Sequence, residues 1–163
     1  MVDKKNKVFS QLGWPLIRGH FVYPVPFEND GDMVMKWKKS FEIGISQMDL
    51  EHKALVSLIQ KLENSMYGGS VSKTTGAVLK ELVEYVKLHF KNEEKMMSNV
   101  GYPELSRHKI LHKDLVNDVA AILIDLKNGK QWTASELVGF LNYWLREHIL
   151  QEDKKIGQYL GLV

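Results

Sequence analysis

Hydrophobic residues follow a helical period along most of the chain after residue 45. They recur there at steps of three and four, the spacing that places side chains on one face of an α-helix. The pattern is interrupted three times, and its four segments cover residues 46 to about 66, about 72 to 99, about 103 to 128, and 133 to about 159. The sequence therefore predicts four amphipathic helices.

Residues typical of helix starts support these limits. Ser46 with Asp49, and Thr133 with Glu136, have the spacing of a capping box, in which side chains of the first turn pair with its free backbone N–H groups. Pro103 suits the first turn of the third helix, because that turn leaves N–H groups unpaired and proline has none. We expect helices to begin at these three positions.

Glycines mark the ends of the first three segments, at Gly68-Gly69, Gly101 and Asn128-Gly129. The connections are short, so successive helices are expected to be antiparallel neighbours. The predicted fold is all-α, an up-down-up-down antiparallel four-helix bundle over residues 37–163.

Residues 1–36 differ from the rest of the chain. They contain three of the four prolines and a turn-like stretch at 28–32, and they show no sustained hydrophobic period. We expect an irregular N-terminal arm that precedes the bundle domain.

Charge and cysteine content exclude several classes of protein. The chain has 22 Lys plus Arg against 20 Asp plus Glu, so it lacks the basic excess that dominates nucleic-acid binding. It has no cysteine, which excludes disulfides, thiolate zinc sites and iron–sulfur clusters. We expect no nucleic-acid partner, and any metal must be held by nitrogen and oxygen.

Hydropathy gives no sign of a membrane protein. A membrane span needs a run of about 18 apolar residues, and the sequence has none. The lysines near the N-terminus are not followed by the apolar region of a secretory signal. We expect a cytoplasmic protein without a membrane span.

Histidines are concentrated on the apolar helix faces. Each predicted helix carries at least one, and five of the six fall there: His52, His89, His108, His112 and His148. Glu93 shares a face with His89, and His112 with His108, because a four-residue step returns close to the same side of a helix. These side chains are predicted to point into the bundle.

Asp153 follows His148 by five residues, which places it about 140° further round an ideal α-helix. A carboxylate at that angle reaches a central ion only if the helix rotates suitably or widens into a π-type turn, a distortion that often marks functional sites. We therefore expect a local departure from α-helical geometry here.

A single histidine on an apolar face is more often a hydrogen-bonded core residue than a metal ligand. Seven buried polar groups reverse that balance, because each unpaired group costs roughly 1 to 3 kcal/mol and a whole domain is stable by only about 5 to 15 kcal/mol. Seven donors exceed the four that one zinc ion takes, so two ions bridged by the carboxylates fit better. Iron, manganese, zinc and copper all remain open on donor type alone.

The order of these residues resembles the hemerythrin family, in particular its bacterial members. The matching motifs are a histidine in the context D-L-E-H at 49–52, H-x-x-x-E at 89–93, H-x-x-x-H at 108–112 and H-x-x-x-x-D at 148–153. The resemblance also includes Trp37 and extends over about residues 37–160. Bacterial members commonly have glutamine where this chain has Glu51, a change that alters the charge beside a ligand without removing the site.

This resemblance implies a non-haem di-iron centre, bridged by an oxo or hydroxo group, that binds dioxygen reversibly. Its ligands, carried over by position, are three histidines for one iron (His108, His112 and His148), two for the other iron (His52 and His89) and two bridging carboxylates (Glu93 and Asp153). The iron with two histidines keeps the open position.

Four apolar residues beside the ligands match positions that line the family's dioxygen pocket, namely Phe90, Trp144, Leu145 and Ile149. Ordinary core packing explains the same residues, and the two roles are compatible. A dry apolar wall favours holding dioxygen over activating it.

The function that the resemblance implies is dioxygen storage, delivery or scavenging, with a protein recipient as a candidate partner. The alternative is a sensor of dioxygen, nitric oxide or redox state that signals to a partner. No second, output domain is evident in the sequence, which favours the binding protein. No spare acid or base is evident near the ligands, so we expect that the protein is not an enzyme.

Overall fold

The computed structural model describes residues 16–17, 20–21, 35–66, 73–129 and 132–163. Its long helices are α1 (Ser46–Asn64), α2 (Lys73–Asn99), α3 (Leu105–Lys127) and α4 (Ala134–His148). A π-helical turn, Ile149–Asp153, continues α4 into a short α5, Lys154–Tyr159, and a 3-10 turn at Lys39–Phe41 precedes α1. α1 packs against α2 and α4, and α2 packs against α3. The predicted all-α four-helix bundle is confirmed.

A short strand pair lies in the N-terminal part of the chain. β1 (Leu16–Ile17) pairs antiparallel with β2 (His20–Phe21). Two extended dipeptides, close enough in sequence to form a ladder, therefore lie within the predicted irregular arm. The other residues of the predicted arm up to 34 lie outside the described part of the chain, and the domain boundary at residue 36 stays a prediction.

The capping box at Thr133 is confirmed and the one at Ser46 is wrong. The Thr133 hydroxyl accepts a hydrogen bond from the backbone N–H of Glu136 at 3.2 Å, and the Glu136 carboxylate accepts one from the N–H of Thr133 at 2.8 Å. At α1 the N-cap residue is Ile45, and its side chain caps nothing. Asp49 instead accepts from the N–H of Ile43 at 2.8 Å, so its carboxylate fastens the preceding segment to the helix.

Pro103 lies before α3 and not in its first turn. The helix begins at Leu105 with Glu104 as its N-cap, and the proline lies in the turn that connects α2 to α3. The glycine stops at 101 and 129 are confirmed by positive backbone angles, φ 68° at Gly101 and φ 79° at Gly129. The third predicted stop, Gly68-Gly69, lies outside the described residues.

The segment before α1 packs closely against the C-terminal helix. Ile43 is fully buried, and a Cβ atom added at Gly157 in α5 would lie 2.1 Å from the Ile43 carbonyl oxygen. Only glycine allows the two backbones to approach this closely. This contact holds residues 41–45 against the element that follows the π turn.

Candidate metal centre

The seven predicted ligands are all buried in the bundle, with 0 to 6 % of each residue exposed. Each of the four helices contributes, and the π turn ends with one carboxylate: His52 on α1, His89 and Glu93 on α2, His108 and His112 on α3, His148 on α4 and Asp153 in the π turn. The sixth histidine, His20, lies in β2. The helices therefore bring together the residues that the sequence predicted.

Their donor atoms form two overlapping groups. One group comprises Glu93, His108, His112, His148 and Asp153, and the other comprises His52, His89, Glu93 and Asp153. Within each group the donor atoms lie within 4.8 Å of one another. The two carboxylates belong to both groups, which is the arrangement that two neighbouring ions need if carboxylates bridge them.

Asp153 faces both groups with different oxygens. Its Oδ1 lies 3.1 Å from Nε2 of His148 and 3.3 Å from Nε2 of His108, whereas Oδ2 lies 3.2 Å from Nε2 of His52. The second carboxylate, Glu93, places Oε2 3.0 Å from Nε2 of His112. Asp153 therefore offers one oxygen to each side of the centre.

The π turn explains how Asp153 reaches this position. The predicted departure from α-helical geometry is confirmed, because residues 149–153 form a π-helix immediately after His148. A π turn has one more residue per hydrogen-bonded turn than an α-helix, so a five-residue step returns to the same side. Arg107 on α3 holds the turn from outside through two hydrogen bonds to the Glu152 carboxylate, at 2.5 and 3.0 Å.

Unpaired buried atoms test whether this site suits a metal ion. Both carboxylate oxygens of Glu93 and of Asp153, both ring nitrogens of His52, and Nε2 of His108 are buried without a hydrogen bond to any residue that the structure describes. Several of them approach at 3.0 to 3.4 Å, but without hydrogen-bond geometry. Leaving such groups unpaired is costly, and a cation would satisfy them together. Imidazole and carboxylate donors without sulfur suit iron, manganese, zinc or copper.

The protonation states of the metal-free site fit the same conclusion. Burial and Asp153 raise the pKa of Glu93, but the nearby imidazoles of His108 and His112 outweigh them and bring it to about 2. Burial lowers the pKa of His108, but Asp153 and Glu93 raise it to about 9. Burial lowers the pKa of His148 to about 4, so this histidine is neutral. At neutral pH a proton on His108 thus supplies part of the positive charge that a metal would supply.

Two further carboxylates contact two of the predicted ligand histidines from outside. Oε2 of Glu51 lies 2.9 Å from Nδ1 of His89, and Oε1 of Glu94 lies 2.9 Å from Nδ1 of His112. The sequence analysis singled out Glu51 because bacterial members of the family commonly have glutamine there, beside a predicted ligand. It carried no signal for Glu94, because no spacing rule connects a residue on α2 to a histidine on α3.

The four residues predicted to line a dioxygen pocket are buried, with 0 to 5 % of each exposed. Phe90 stacks face to face on His112, with ring centroids 3.8 Å apart and planes inclined by 6°, and its centroid lies 6.2 Å from that of Trp144. Leu145 and Ile149 flank His148 in sequence. Phe90 thus forms an apolar wall against a ligand, and the pocket role of the four residues stays a prediction.

A cavity of about 410 Å³ lies elsewhere, against α1 and α2, and none of these four residues lines it. Its walls come from Ile45, Gln47, Met48, Glu51, Asn92, Lys95, Met96 and Asn99. The side of Glu51 that does not contact His89 therefore faces this cavity.

Comparison with known proteins agrees with the metal-binding role that the donor atoms indicate. The family described as the Hemerythrin HHE cation binding domain matches residues 43–160. The chain belongs to the hemerythrin family. The matched span includes all seven predicted ligands and ends one residue after α5.

Relatives in the hemerythrin family are similar over most of their length. A bacteriohemerythrin of Clostridium acetobutylicum is 32% identical over 124 residues, which cover 73% of this chain and 95% of that protein. A bacteriohemerythrin of Methylococcus capsulatus is 30% identical over 129 residues, 78% of this chain and 98% of that protein. The predicted resemblance to the bacterial type is confirmed.

A solved structure supports the hemerythrin fold independently. The crystal structure of a wild-type hemerythrin superposes with a TM-score of 0.69 at 28% identity, covering 76% of this chain and 95% of that one. In the part of the chain that the structure describes, every helix is too short or too polar to cross a membrane.

Proposed function

We propose that this chain holds two iron ions between its four helices and binds dioxygen there reversibly, for storage, delivery or scavenging. The observation that carries the proposal is the sharing of Glu93 and Asp153 between a group with three histidines and a group with two. Membership of the hemerythrin family supports iron as the metal and dioxygen as the ligand.

The two histidine groups are proposed to differ in role. His108, His112 and His148 would hold one ion together with both carboxylates, and His52 and His89 would hold the other. The smaller group provides one nitrogen fewer, so its ion is the one with room for a further ligand. When bound, a pair of ferrous ions supplies two electrons and an open position for dioxygen.

The surrounding side chains are proposed to keep the centre dry and to limit its chemistry to binding. Phe90 covers one face of His112, and buried apolar neighbours exclude the water that would promote irreversible oxidation. The carboxylates in contact with ligands from outside, Glu51 and Glu94, each engage a histidine ring nitrogen. That engagement makes them poor general acids or bases, so we propose binding without turnover. A protein recipient and a cytoplasmic location remain predictions.

Metal analysis combined with optical spectra tests the proposal. We expect two irons per chain, and a coloured form that appears when the reduced protein meets air and disappears when dioxygen is removed. In His112→Ala we expect loss of iron and of the colour, whereas Lys113→Ala, an exposed neighbour on the same helix, should behave like the parent chain. One zinc per chain would refute the metal assignment, and rapid irreversible oxidation would refute the reversible binding.

A further inference from the structure

One histidine of each donor group has a carboxylate on its outer ring nitrogen. His89 belongs to the two-histidine group and contacts Glu51, and His112 belongs to the three-histidine group and contacts Glu94. In His112 the other ring nitrogen, Nε2, faces Glu93 at 3.0 Å, so Nδ1 points away from the centre. A carboxylate therefore lies against one histidine of each donor group.

Glu51 is buried and fully engaged. Only 6% of the residue is exposed, and its Oε1 accepts hydrogen bonds from the side-chain amides of Gln47 at 2.8 Å and Asn92 at 2.9 Å while Oε2 faces His89. Three donors around one carboxylate favour its charged form. A negative charge thus lies one imidazole ring away from the centre.

Glu94 holds the same position with more solvent around it. Its side chain is 26% exposed, and Lys109 on α3 lies 3.7 Å from its Oε2. Water and a neighbouring cation screen a charge, so Glu94 acts on the centre more weakly than Glu51 does.

A carboxylate on the outer nitrogen of a metal-binding histidine fixes the tautomer and the ring orientation, and it makes the inner nitrogen a stronger electron donor. Stronger donation favours the more highly charged state of the metal. Here two outer carboxylates add two negative charges to a site that already contains Glu93 and Asp153.

We propose that Glu51 and Glu94 are positioning residues that hold His89 and His112 by Nδ1 and lower the reduction potential of the centre, Glu51 more than Glu94. This inference rests on the proposed function. It adds that the two outer carboxylates favour the oxidised state of the centre.

Reduction potentials of iron-loaded variants test the proposal. In Glu51→Gln the side chain keeps its shape and a hydrogen-bond acceptor but loses its charge, and we expect the potential to rise by about 59 mV, a tenfold change in a one-electron equilibrium. In Glu94→Gln we expect a smaller rise. Glu84→Gln, exposed on the same helix as Glu94, is the control and should leave the potential unchanged. Unchanged potentials in both test variants, with iron retained, would overturn the proposal.

Nitrogen-15 NMR of the zinc-loaded chain provides a readout that does not depend on iron. The Nδ1 protons of His89 and His112 should exchange slowly with solvent in the parent chain. Each should exchange at least tenfold faster in the alanine variant of its own carboxylate, Glu51→Ala or Glu94→Ala, which removes the acceptor that glutamine keeps. Equal exchange rates in the parent and the variants would exclude the positioning role. If the parent chain fails to hold iron, the proposed function fails, and this zinc measurement alone decides between support and rejection of the inference.

Discussion

Asp153 is the residue on which the candidate centre depends most, because its two oxygens face the histidines of both groups. Replacement by asparagine preserves the shape but removes the charge and one oxygen. We expect the iron content of Asp153→Asn to fall from about two per chain to below one, as is typical when a metal loses a shared ligand. Elemental analysis measures this, with Asp114→Asn, exposed on α3, as the control. Two retained irons in Asp153→Asn would contradict a bridging role.

His108 makes the stability of the metal-free protein depend on pH. Its pKa is raised from 6.5 to about 9 in the folded chain, so the folded state holds this proton more tightly than the unfolded state does. The stabilisation is complete below pH 6.5 and is lost as the pH rises through about 9. Urea unfolding of the metal-free protein should therefore show a midpoint that falls over this range. The decrease in the urea midpoint should be smaller in His108→Gln and in the metal-loaded protein. A midpoint of the metal-free parent that stays constant from pH 6.5 to 9 would contradict the prediction.

Four of the seven candidate ligands could be placed side by side from the sequence because they are paired within helices. The steps from His89 to Glu93 and from His108 to His112 are four residues long, and helical geometry alone then places each pair on one side. Contacts between different helices could not be predicted from the sequence. Glu94 meets His112 only because of how α2 is rotated against α3, and no pattern within either helix encodes that rotation.

At the scale of elements, hydrophobic periodicity predicted the helices, whereas tertiary contacts decided where they start. The Ser46 and Asp49 pattern fits a capping box, yet the Asp49 carboxylate binds the N–H of Ile43, which the packing of residues 41–45 brings within reach. The π turn could be predicted for the opposite reason. The five-residue step from His148 to Asp153 conflicts with an α-helix, and the conflict itself indicated where the geometry must change.

Arg107 connects α3 to the π turn. Replacing it tests whether the turn needs this contact with α3 to keep its shape. Its guanidinium binds Glu152, the neighbour of Asp153, with both terminal nitrogens. We expect Arg107→Ala to release iron to a chelator about two- to fivefold faster, because an ion pair with an exposed partner contributes up to about 1 kcal/mol. Lys155→Ala is the matched control: it removes another partner of Glu152, but one that lies on α5 and does not reach α3. Equal release from both variants would mean that the bridge to α3 has no special role.

For the whole molecule, the close approach of Gly157 to Ile43 holds both ends of the bundle domain together. A methyl group at this position would meet the Ile43 carbonyl, a backbone atom that cannot rotate away. We expect Gly157→Ala to lower the free energy of unfolding by about 1 to 3 kcal/mol, measured by urea denaturation. Gly139→Ala in α4 is the control, because a Cβ there meets nothing within 4 Å and alanine favours a helix. A stable Gly157→Ala variant would show that residues 41–45 are free to shift.

The π turn also constrains the length of the polypeptide. It is equivalent to one residue inserted into a continuous helix, and every residue after it is turned by about 100° from where an uninterrupted α-helix would place it. Ile156 and Gly157 are buried in this register. A one-residue deletion between His148 and Asp153 would therefore convert the π turn into an α-helical turn. The aspartate would then follow His148 by four residues, a step that also returns close to the same side of a helix, and the C-terminal helix would keep its present face toward Ile43. The stretch can therefore lose the one residue that the π turn accommodates, whereas one more inserted residue would turn Asp153 and the C-terminal helix away from their present positions.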